Sequence, residues 1–403
     1  MFKKVEIIMN MKNSVALVLG GYINGYSIIR ELKQEGVDNI WLFDYGNSIS
    51  RHSNLISGFT KIEKNSESIR QALLPLKDNF DYIVCYPTDD IQLELFLELY
   101  DEIKEFCFLP FNQKNLKKGL DKSIQYQFCE KLGVPYPKTV ELKVESDFFN
   151  VEKLLFPLLI KPNTRQDVVS NVFRSLYVNS MDDFNKKKQL LKDYLSQGFS
   201  FLASEFVPGD DTQIYAYTAY RSKNGEILNE WTGKKLTQFP DAFGIFSSAS
   251  NEAPDIVLEQ GRKLLNGMDL FGIAEPEFKY DHRDGQYKLM EINLRSMMWH
   301  RVGNLSNVKL HITQWNDALG LPVKKYTQEK EKIIHFVYMK HELLNLISRW
   351  GYLKFFIKNV FLGGNRYFAV LNGKDLKPFF IDLLTYPRNV VSVWIKVLRR
   401  LFS

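Results

Sequence analysis

Short apolar runs alternate with helical patterns along the first part of the chain. Runs rich in valine, leucine and isoleucine lie at Ser14–Leu19, Ile40–Phe43 and Tyr82–Cys85, and a helical pattern follows the first run at Ser27–Gln34. Short buried strands that alternate with helices are typical of a parallel sheet with crossover connections. We therefore predict an N-terminal α/β domain over residues 1–120.

After residue 120 strands predominate. A helical pattern covers Lys122–Leu132, and it is followed by predicted strands at Phe156–Ile160, Phe201–Val207, Gln213–Tyr220 and Ile227–Thr232. A further helical pattern lies between the first two of these strands, at Lys186–Tyr194.

A hairpin carries the strongest chemical signal. Two antiparallel strands are predicted at Glu275–Tyr280 and Gln286–Ile292, joined by a turn that ends in glycine. Glu291 and Asn293 are two residues apart, so on a strand they project to the same face, and Glu277 can come alongside from the partner strand. Two carboxylates and an amide oxygen are ligands that suit Mg²⁺. An isolated pair of this kind is more often an ordinary surface feature of a hairpin.

Composition limits the class of protein. The chain has 403 residues, 45% of them hydrophobic and 25% charged, which is typical of a globular protein with two or three subdomains. Its three cysteines, Cys85, Cys107 and Cys129, lack metal-site spacing and suggest a reducing compartment. No secretory signal is expected at Met1–Asn10, and no run of 18 apolar residues occurs. We therefore expect a cytoplasmic protein.

Basic residues precede the hairpin in a recognisable order. Lys122 stands in L-D-K-S, Lys161 in L-L-I-K-P, and the segment Ser204–Asp211 reads S-E-F-V-P-G-D-D. Together with the later Glu…Glu-x-Asn-x-Arg pattern, this order resembles the ATP-grasp ligases. The nearest likeness is to the carboxylate–amine branch, which includes D-aspartate ligase and the pyrrolysine-biosynthesis ligase, and it covers roughly residues 14–320.

The resemblance implies a nucleotide site. It assigns six positions to ATP binding: Lys122, Lys161, Glu205, Phe206, Val207 and Asp211. The two lysines are expected to contact phosphates, because transfer of the γ-phosphoryl group develops charge that fixed cations must stabilise. Glu205 and the backbone of the next two residues are expected to hold the adenine. Asp211, or Asp210 beside it, is expected to hold the ribose.

The resemblance also implies metal and catalytic residues. The expected ligands of one or two Mg²⁺ ions, for which Mn²⁺ can substitute, are Glu277, Glu291 and Asn293. Arg295 is expected to face the acyl-phosphate, where a guanidinium fork suits an anion. Either Lys234 or Lys235 is expected to face the triphosphate, since strand alternation turns only one inward, and Lys235 is the preferred candidate.

The chain departs from the family pattern after Lys161. Many members have a loop there that is rich in glycine and serine, whereas residues 163–170 contain no glycine. Arg165 is a candidate to replace backbone contacts to the phosphates. His300, which follows the hairpin, is expected either to orient a substrate or to cap the next helix.

The implied fold is α/β, with a parallel-sheet domain followed by a two-lobed ATP-grasp domain and a basic helical tail. The ATP-grasp domain is expected at 121–320, with a small lobe at about 135–205 and a large lobe at about 206–320. The implied activity joins a small-molecule carboxylate, activated by Mg-ATP as an acyl-phosphate, to an amine. A non-catalytic nucleotide-binding protein descended from such an enzyme is the first alternative.

An NAD(P)-linked oxidoreductase is the weaker alternative. It rests on Gly20, Gly25 and Asp44, but the dinucleotide fingerprint needs a third glycine where Tyr22 stands. A tight turn between strand and helix explains the same residues. Pro87–Asp90 follows the third predicted strand, at the edge where ligands bind in parallel sheets.

The basic character of the chain lies in its tail, residues 321–403. From Val323 onward it has 15 Lys and Arg against 5 Asp and Glu, a net charge of +10, while the whole chain carries +6. Between Val391 and Phe402 apolar residues fall on one face of a helical pattern, with basic residues largely on another side. Such a tail predicts either peripheral contact with anionic membrane, at its inner face, or a helix packed on the core. No nucleic-acid partner is expected, and the oligomeric state is not indicated.

Overall fold

Three β-sheets organise the chain in the computed structural model, which describes residues 13–163, 172–240 and 244–387 together with residue 390. The first sheet belongs to the N-terminal domain, the second to a small lobe and the third to a large lobe. These two lobes and the parallel sheet confirm the predicted fold class.

The N-terminal sheet is parallel throughout, in the order β3-β2-β1-β4-β5. Its strands are β1 (Ser14–Leu19), β2 (Ile40–Asp44), β3 (Gly58–Lys61), β4 (Tyr82–Pro87) and β5 (Cys107–Phe108). Its helices are α1 (Ile23–Gln34), α2 (Ser66–Asn79), α3 (Asp90–Glu98) and α4 (Tyr100–Ile103). The strand order reverses between β1 and β4, so the crevice for ligands in such sheets opens beside Gly20 and Thr88.

A four-stranded antiparallel sheet forms the small lobe, in the order β6-β9-β7-β8. Two helices lead into it, α5 (Leu116–Leu120) and α6 (Lys122–Leu132). Its strands are β6 (Thr139–Leu142), β7 (Leu158–Pro162), β8 (Leu176–Val178) and β9 (Phe201–Glu205). Helix α7 (Met181–Ser196) buries Phe184 and Leu191 against this sheet, which gives the lobe a core of its own.

The large lobe has a seven-stranded sheet in the order β14-β13-β10-β11-β12-β15-β16. Its strands are β10 (Ile214–Arg221), β11 (Ile227–Phe239), β12 (Ile245–Ser250), β13 (Gly272–Asp281), β14 (Gln286–Asn293), β15 (Ile334–Val337) and β16 (Asn365–Phe368). Three helices accompany them, α8 (Asp255–Gly267), α9 (Arg301–Leu305) and α10 (Leu310–Ala318). Gly261 of α8 lies directly against the Tyr217 ring, where a side chain would collide.

Residues beyond 321 are not only helical. They add β15 and β16 to the sheet of the large lobe, and β15 pairs with β12. The reason is the buried apolar run at Ile334–Val337, which completes the otherwise open edge of β12. The helices here are α11 (Met339–Ser348), α12 (Leu353–Ile357) and α13 (Lys377–Leu384), and a π-helical turn, Lys358–Leu362, continues α12. The amphipathic pattern predicted at Val391–Phe402 lies outside the described residues.

The same C-terminal part is fastened to the N-terminal domain. Buried Asp375 accepts hydrogen bonds from Tyr26 Oη at 3.0 Å, Ser53 Oγ at 2.5 Å and Asn54 N at 3.2 Å. Arg30 donates to the backbone oxygen of Ala369. A helix with the length and hydropathy of a membrane-spanning segment is not found in the part of the chain that the structure describes.

We expect Asp375→Ala to lower the free energy of unfolding by about 2–4 kcal/mol. The substitution removes the carboxylate acceptor of Ser53 Oγ and Asn54 N, and it leaves Tyr26 Oη with the backbone oxygen of residue 375 at 3.3 Å. A hydrogen bond to a charged group contributes roughly 1.5–3 kcal/mol. Denaturant unfolding of Asp375→Ala measures the loss. Asp38→Ala is the matched control, because Asp38 is 89% exposed in a surface pair with Lys33 and should change stability by less than about 1 kcal/mol. Equal losses in both variants would show that Asp375 does not fasten the two parts.

Candidate functional site

The hairpin of β13 and β14 sets the geometry of the site. Glu277 lies directly opposite Glu291 in the strand register, and Glu275 lies opposite Asn293. Directly opposed residues share a face of the sheet, as do residues two apart on one strand. The four side chains therefore project together, as the spacing predicted for three of them. Glu277 and Asn293 are buried, and Glu291 is partly exposed.

Lys235 reaches this group from β11. Its Nζ lies 2.5 Å from Glu277 Oε2, and both side chains are almost fully buried. The intervening strand β10 contributes only Ala216 opposite Glu277, and that residue faces Gly233 on β11. The small side chain of Ala216 leaves room for the lysine to reach over β10, whereas a side chain at Gly233 would collide with the rings of Trp231 and Trp299. Lys234 pairs instead with Glu252, at 3.5 Å, so Lys235 is the inward residue of the two.

Two further lysines come from outside the large lobe. Lys122 is the first residue of α6, and the Asp121 carboxylate caps that helix by accepting from Ile124 N. Lys122 Nζ lies 3.4 Å from Glu291 Oε2. Lys161 lies in β7 of the small lobe, and its charge acts on both glutamates. The structure therefore brings Lys122, Lys161 and Lys235 to one pair of carboxylates.

The electrostatics of the cluster follow from burial and proximity. Burial acts to raise the pKa of Glu291, but the Lys122, Lys161 and Lys235 charges overcome it and lower that pKa to about 2. Burial and the Glu291 charge raise the pKa of Glu277, with Lys235 opposing. Burial, with the charge of Lys122, lowers the pKa of Lys161 to about 8. Glu291 is thus an anion at neutral pH, which is the state that a cation or phosphate-bound metal requires.

The donor set fits a magnesium ion whose other ligands are water and the phosphate oxygens of a nucleotide. Two carboxylates and an amide oxygen are hard donors, and Mg²⁺ completes its octahedron with water and phosphate oxygens. Asn293 Nδ2 is buried and has no hydrogen-bond partner among the described residues. Since the two ends of an amide are interchangeable, its oxygen can face the carboxylates. Those residues contain no cluster of three or more His, Cys, Asp or Glu side chains suited to a metal. The amide and the nucleotide oxygens are therefore essential to this fit.

The residues predicted to bind adenine, at the end of β9 and just after it, already make hydrogen bonds within the protein. Glu205 Oε1 accepts from Leu155 N at 3.0 Å, so this side chain holds a neighbouring loop. Phe206 N donates to Pro157 O, and Phe206 O accepts from Arg283. Val207, the next residue, has a buried side chain. The assignment of Glu205, Phe206 and Val207 to adenine stays a prediction.

Asp211, the residue expected to hold the ribose, is engaged within the protein. Its oxygens accept from Gln238 N at 3.2 Å and Gln238 Nε2 at 3.1 Å, and Arg349 Nη1 lies 3.4 Å away. Asp210 is exposed and accepts from Thr212 N at 2.9 Å. The ribose role stays a prediction for this pair, and Asp210 is the more accessible of the two.

Arg295 joins the site to the N-terminal domain. Its Nε lies 2.6 Å from Asp90 Oδ1 and its Nη2 lies 3.1 Å from Asp90 Oδ2, a bidentate pair. Asp90 begins α3, at the carboxyl edge of β4 beside the crevice. The sequence placed Pro87–Asp90 at a ligand edge, but it gave no signal for this partner more than 200 positions away.

Glu275 and His300 form a buried pair that was not predicted. His300 Nδ1 accepts from Met297 N at 3.2 Å, so its proton lies on Nε2, which donates to Glu275 Oε2 at 2.6 Å. Burial lowers the pKa of His300 well below its usual value and raises the pKa of Glu275 to about 8. His300 makes no side-chain cap on α9, so it supports Glu275 instead. The available signal was the position of Glu275 two residues before Glu277.

Arg165, the candidate for the missing glycine-rich loop, lies outside the described residues. What covers the phosphates is therefore an expectation from the sequence alone.

Comparison with known proteins finds similarity both by sequence and by structure. No family model matches. The chain is 25% identical to D-aspartate ligase of Enterococcus faecium (strain Aus0004) over 215 residues, which are 50% of each chain, so it spans about half the length of that relative. Its fold matches N5-carboxyaminoimidazole ribonucleotide synthetase in an ADP complex, with a TM-score of 0.62 and 15% identity over 83% of this chain and 84% of that one.

A second solved structure agrees. Biotin carboxylase of Campylobacter jejuni in a β-γ-ATP complex matches with a TM-score of 0.61 and 13% identity, over 78% of this chain and 72% of that one. At these identities the likeness establishes the fold, and the fold is ATP-grasp. It confirms the architecture that the order of motifs implied.

We expect ATP affinity to fall as pH rises through the pKa of Lys161. Because that pKa is lowered to about 8, the lysine is charged at pH 7.5 and largely neutral at pH 9. A bound triphosphate favours the charged form, so binding takes up a proton, and affinity should drop by up to about tenfold per pH unit above 8. Calorimetry of Mg-ATP binding from pH 7.5 to 9 measures this slope. Lys161→Arg, which stays charged, is the control and should flatten the slope; an equal slope in both proteins contradicts the assignment.

Proposed function

We propose that the protein is an ATP-dependent, ADP-forming carboxylate–amine ligase. The observation that carries this proposal is the convergence of Glu277, Glu291 and Asn293 with three lysines from three separate parts of the fold. A scaffold that only bound nucleotide has no need of two directly opposed carboxyl groups with lysines packed against them. The sequence relative is itself named a ligase, and the solved structures include ADP and ATP complexes of enzymes with this fold.

The reaction proceeds in two transfers. A substrate carboxylate oxygen attacks the γ-phosphorus of ATP, the bond to the β-phosphate oxygen breaks, and ADP leaves. An amine nitrogen then attacks the carbonyl carbon of the acyl-phosphate, inorganic phosphate leaves, and the nitrogen loses a proton to give an amide. Both steps concentrate negative charge on phosphoryl oxygens, and fixed cations stabilise that charge.

The residues divide this work. Lys122 and Lys161 approach from α6 and the small lobe and are placed to hold phosphates between the lobes. Lys235 holds Glu277 in position through its buried contact. Glu277, Glu291 and Asn293 would hold Mg²⁺, which would help to neutralise the charge of the phosphates. Arg295, fixed at the edge of the N-terminal domain by Asp90, is placed to receive an anionic group beside the crevice.

The substrates are small molecules that bind between the N-terminal sheet and the large lobe. The name of the relative suggests D-aspartate as the first carboxylate to test. Screening of carboxylate and amine pairs for ADP release identifies the pair. Mg-ATP binding without turnover for any pair favours the non-catalytic alternative, and nicotinamide binding favours the oxidoreductase. We also propose that the protein works in the cytoplasm and contacts the inner face of the membrane through its basic C-terminal part.

We expect Glu291→Gln to reduce Mg²⁺-dependent ADP formation by about 10²- to 10³-fold, the scale on which charge stabilisation acts in such sites. The change removes one anionic ligand but keeps the shape of the side chain. Glu226→Gln is the matched control, because Glu226 is exposed in the turn between β10 and β11 of the same lobe. Steady-state ADP release and thermal unfolding are measured for all three proteins. Near wild-type turnover in Glu291→Gln would refute the metal site.

A further inference from the structure

A helical segment of the C-terminal part exposes an apolar stripe. Leu353, Ile357 and Phe361 recur at intervals of four residues through α12 and the π-helical turn, so they lie along one side. Leu353 is 59% exposed, Phe361 is 60% exposed and Leu362 is 75% exposed. Trp350, just before this segment, is fully exposed. Large apolar side chains grouped in this way on a surface mark a binding site. We call this surface the Trp350 patch; it consists of Trp350, Leu353, Ile357, Phe361 and Leu362.

The exposed stripe is not the side of the segment that packs on the protein. The other side of the same segment is already packed, with Tyr352 and Val360 buried. Tyr352 Oη donates to Glu342 Oε2 at 2.8 Å, and Asn359 O is 3.2 Å from His335 Nδ1 on β15. The segment therefore has one apolar side for the large lobe and a second apolar side that faces solvent.

Within the sequence segment that carries the Trp350 patch, every charged residue is basic. Residues 343–374 contain five Lys and Arg and no Asp or Glu. Lys354 and Lys358 follow Leu353 and Ile357 directly and are exposed, so they flank the stripe. Exposed tryptophan, phenylalanine and leucine flanked by lysine are the composition of elements that lie in a membrane interface. A nucleic acid would use the basic residues but gains little from an aliphatic stripe.

We propose that the Trp350 patch docks the protein on an anionic membrane surface. The apolar side chains enter the boundary between headgroups and acyl chains, while the two lysines meet anionic headgroups. This inference deepens the proposed location and does not depend on the ligase reaction. It also sets an orientation. Arg349, one residue before Trp350, contacts Asp211 at the proposed ribose end of the nucleotide site, so that end of the large lobe faces the membrane.

Co-sedimentation of the full chain with vesicles tests the proposal. The vesicles are phosphatidylcholine alone or with phosphatidylserine, each at low and high salt. Two variants are compared with the parent: Trp350→Ser with Phe361→Ser, and Lys354→Gln with Lys358→Gln. The matched control is Phe149→Ser with Leu155→Ser, two side chains 66% and 68% exposed on the small lobe. Thermal unfolding and ADP binding confirm that each variant is folded.

We expect the parent and the control to prefer anionic vesicles, with weaker binding at high salt. The apolar variant should partition at least about tenfold less, since each buried side chain contributes to binding. The lysine variant should lose the preference for anionic lipid. Equal partitioning of all four proteins, or no preference for anionic vesicles in the parent, overturns the proposal. A third result also overturns it: the parent does not bind vesicles, and the apolar variant differs from the parent in oligomeric state by sedimentation velocity. The patch would then be a contact between copies of the chain.

Discussion

Two carboxylates held directly opposite each other are the constraint on which the site depends. Like charges in opposed positions of an antiparallel pair repel and destabilise a hairpin. The register of β13 and β14 nevertheless places Glu277 against Glu291. The chain compensates with lysines, one packed against Glu277 and another near Glu291. The opposed carboxylates are unfavourable by themselves and need three lysines from separate elements. Such an arrangement is expected at a site that binds a metal ion and phosphates.

This compensation ties the parts of the fold together. Lys122 comes from the helix before the small lobe, Lys161 from the small lobe and Lys235 from the large lobe, so the site is complete only when both lobes are in place. Arg295 and Asp90 connect the same hairpin to the N-terminal domain. The C-terminal strands extend the sheet that carries the hairpin, and Asp375 fastens that region to the N-terminal domain. The C-terminal part is therefore a structural part of the large lobe as well as a candidate membrane contact.

The sequence predicted those features that arise from local periodicity. Strand alternation placed Glu291 and Asn293 on one face, and the helix at Lys122–Leu132 has the expected bounds. Long-range partners left no local trace, so Asp90 as the partner of Arg295 and His300 as the partner of Glu275 were not foreseen. The strand at Ile334–Val337 was not predicted, because the tail was interpreted as helical from its net charge and its amphipathic end. The four residues of this strand are all buried, and their burial in the sheet determines the local structure. The assignments to adenine, ribose and metal stay predictions, because contacts to a nucleotide depend on positions that sequence spacing does not specify.

The decisive experiment is a crystal structure of the protein with Mg²⁺ and a non-hydrolysable ATP analogue. We expect an ion with oxygen ligands from Glu277, Glu291 and Asn293 at about 2.0–2.1 Å, the distance that Mg²⁺ requires. We also expect the phosphates between Lys122 and Lys161, with the adenine beside Phe206 and Val207. A nucleotide bound elsewhere, or an ion that touches none of the three hairpin residues, would show that these residues do not form the site.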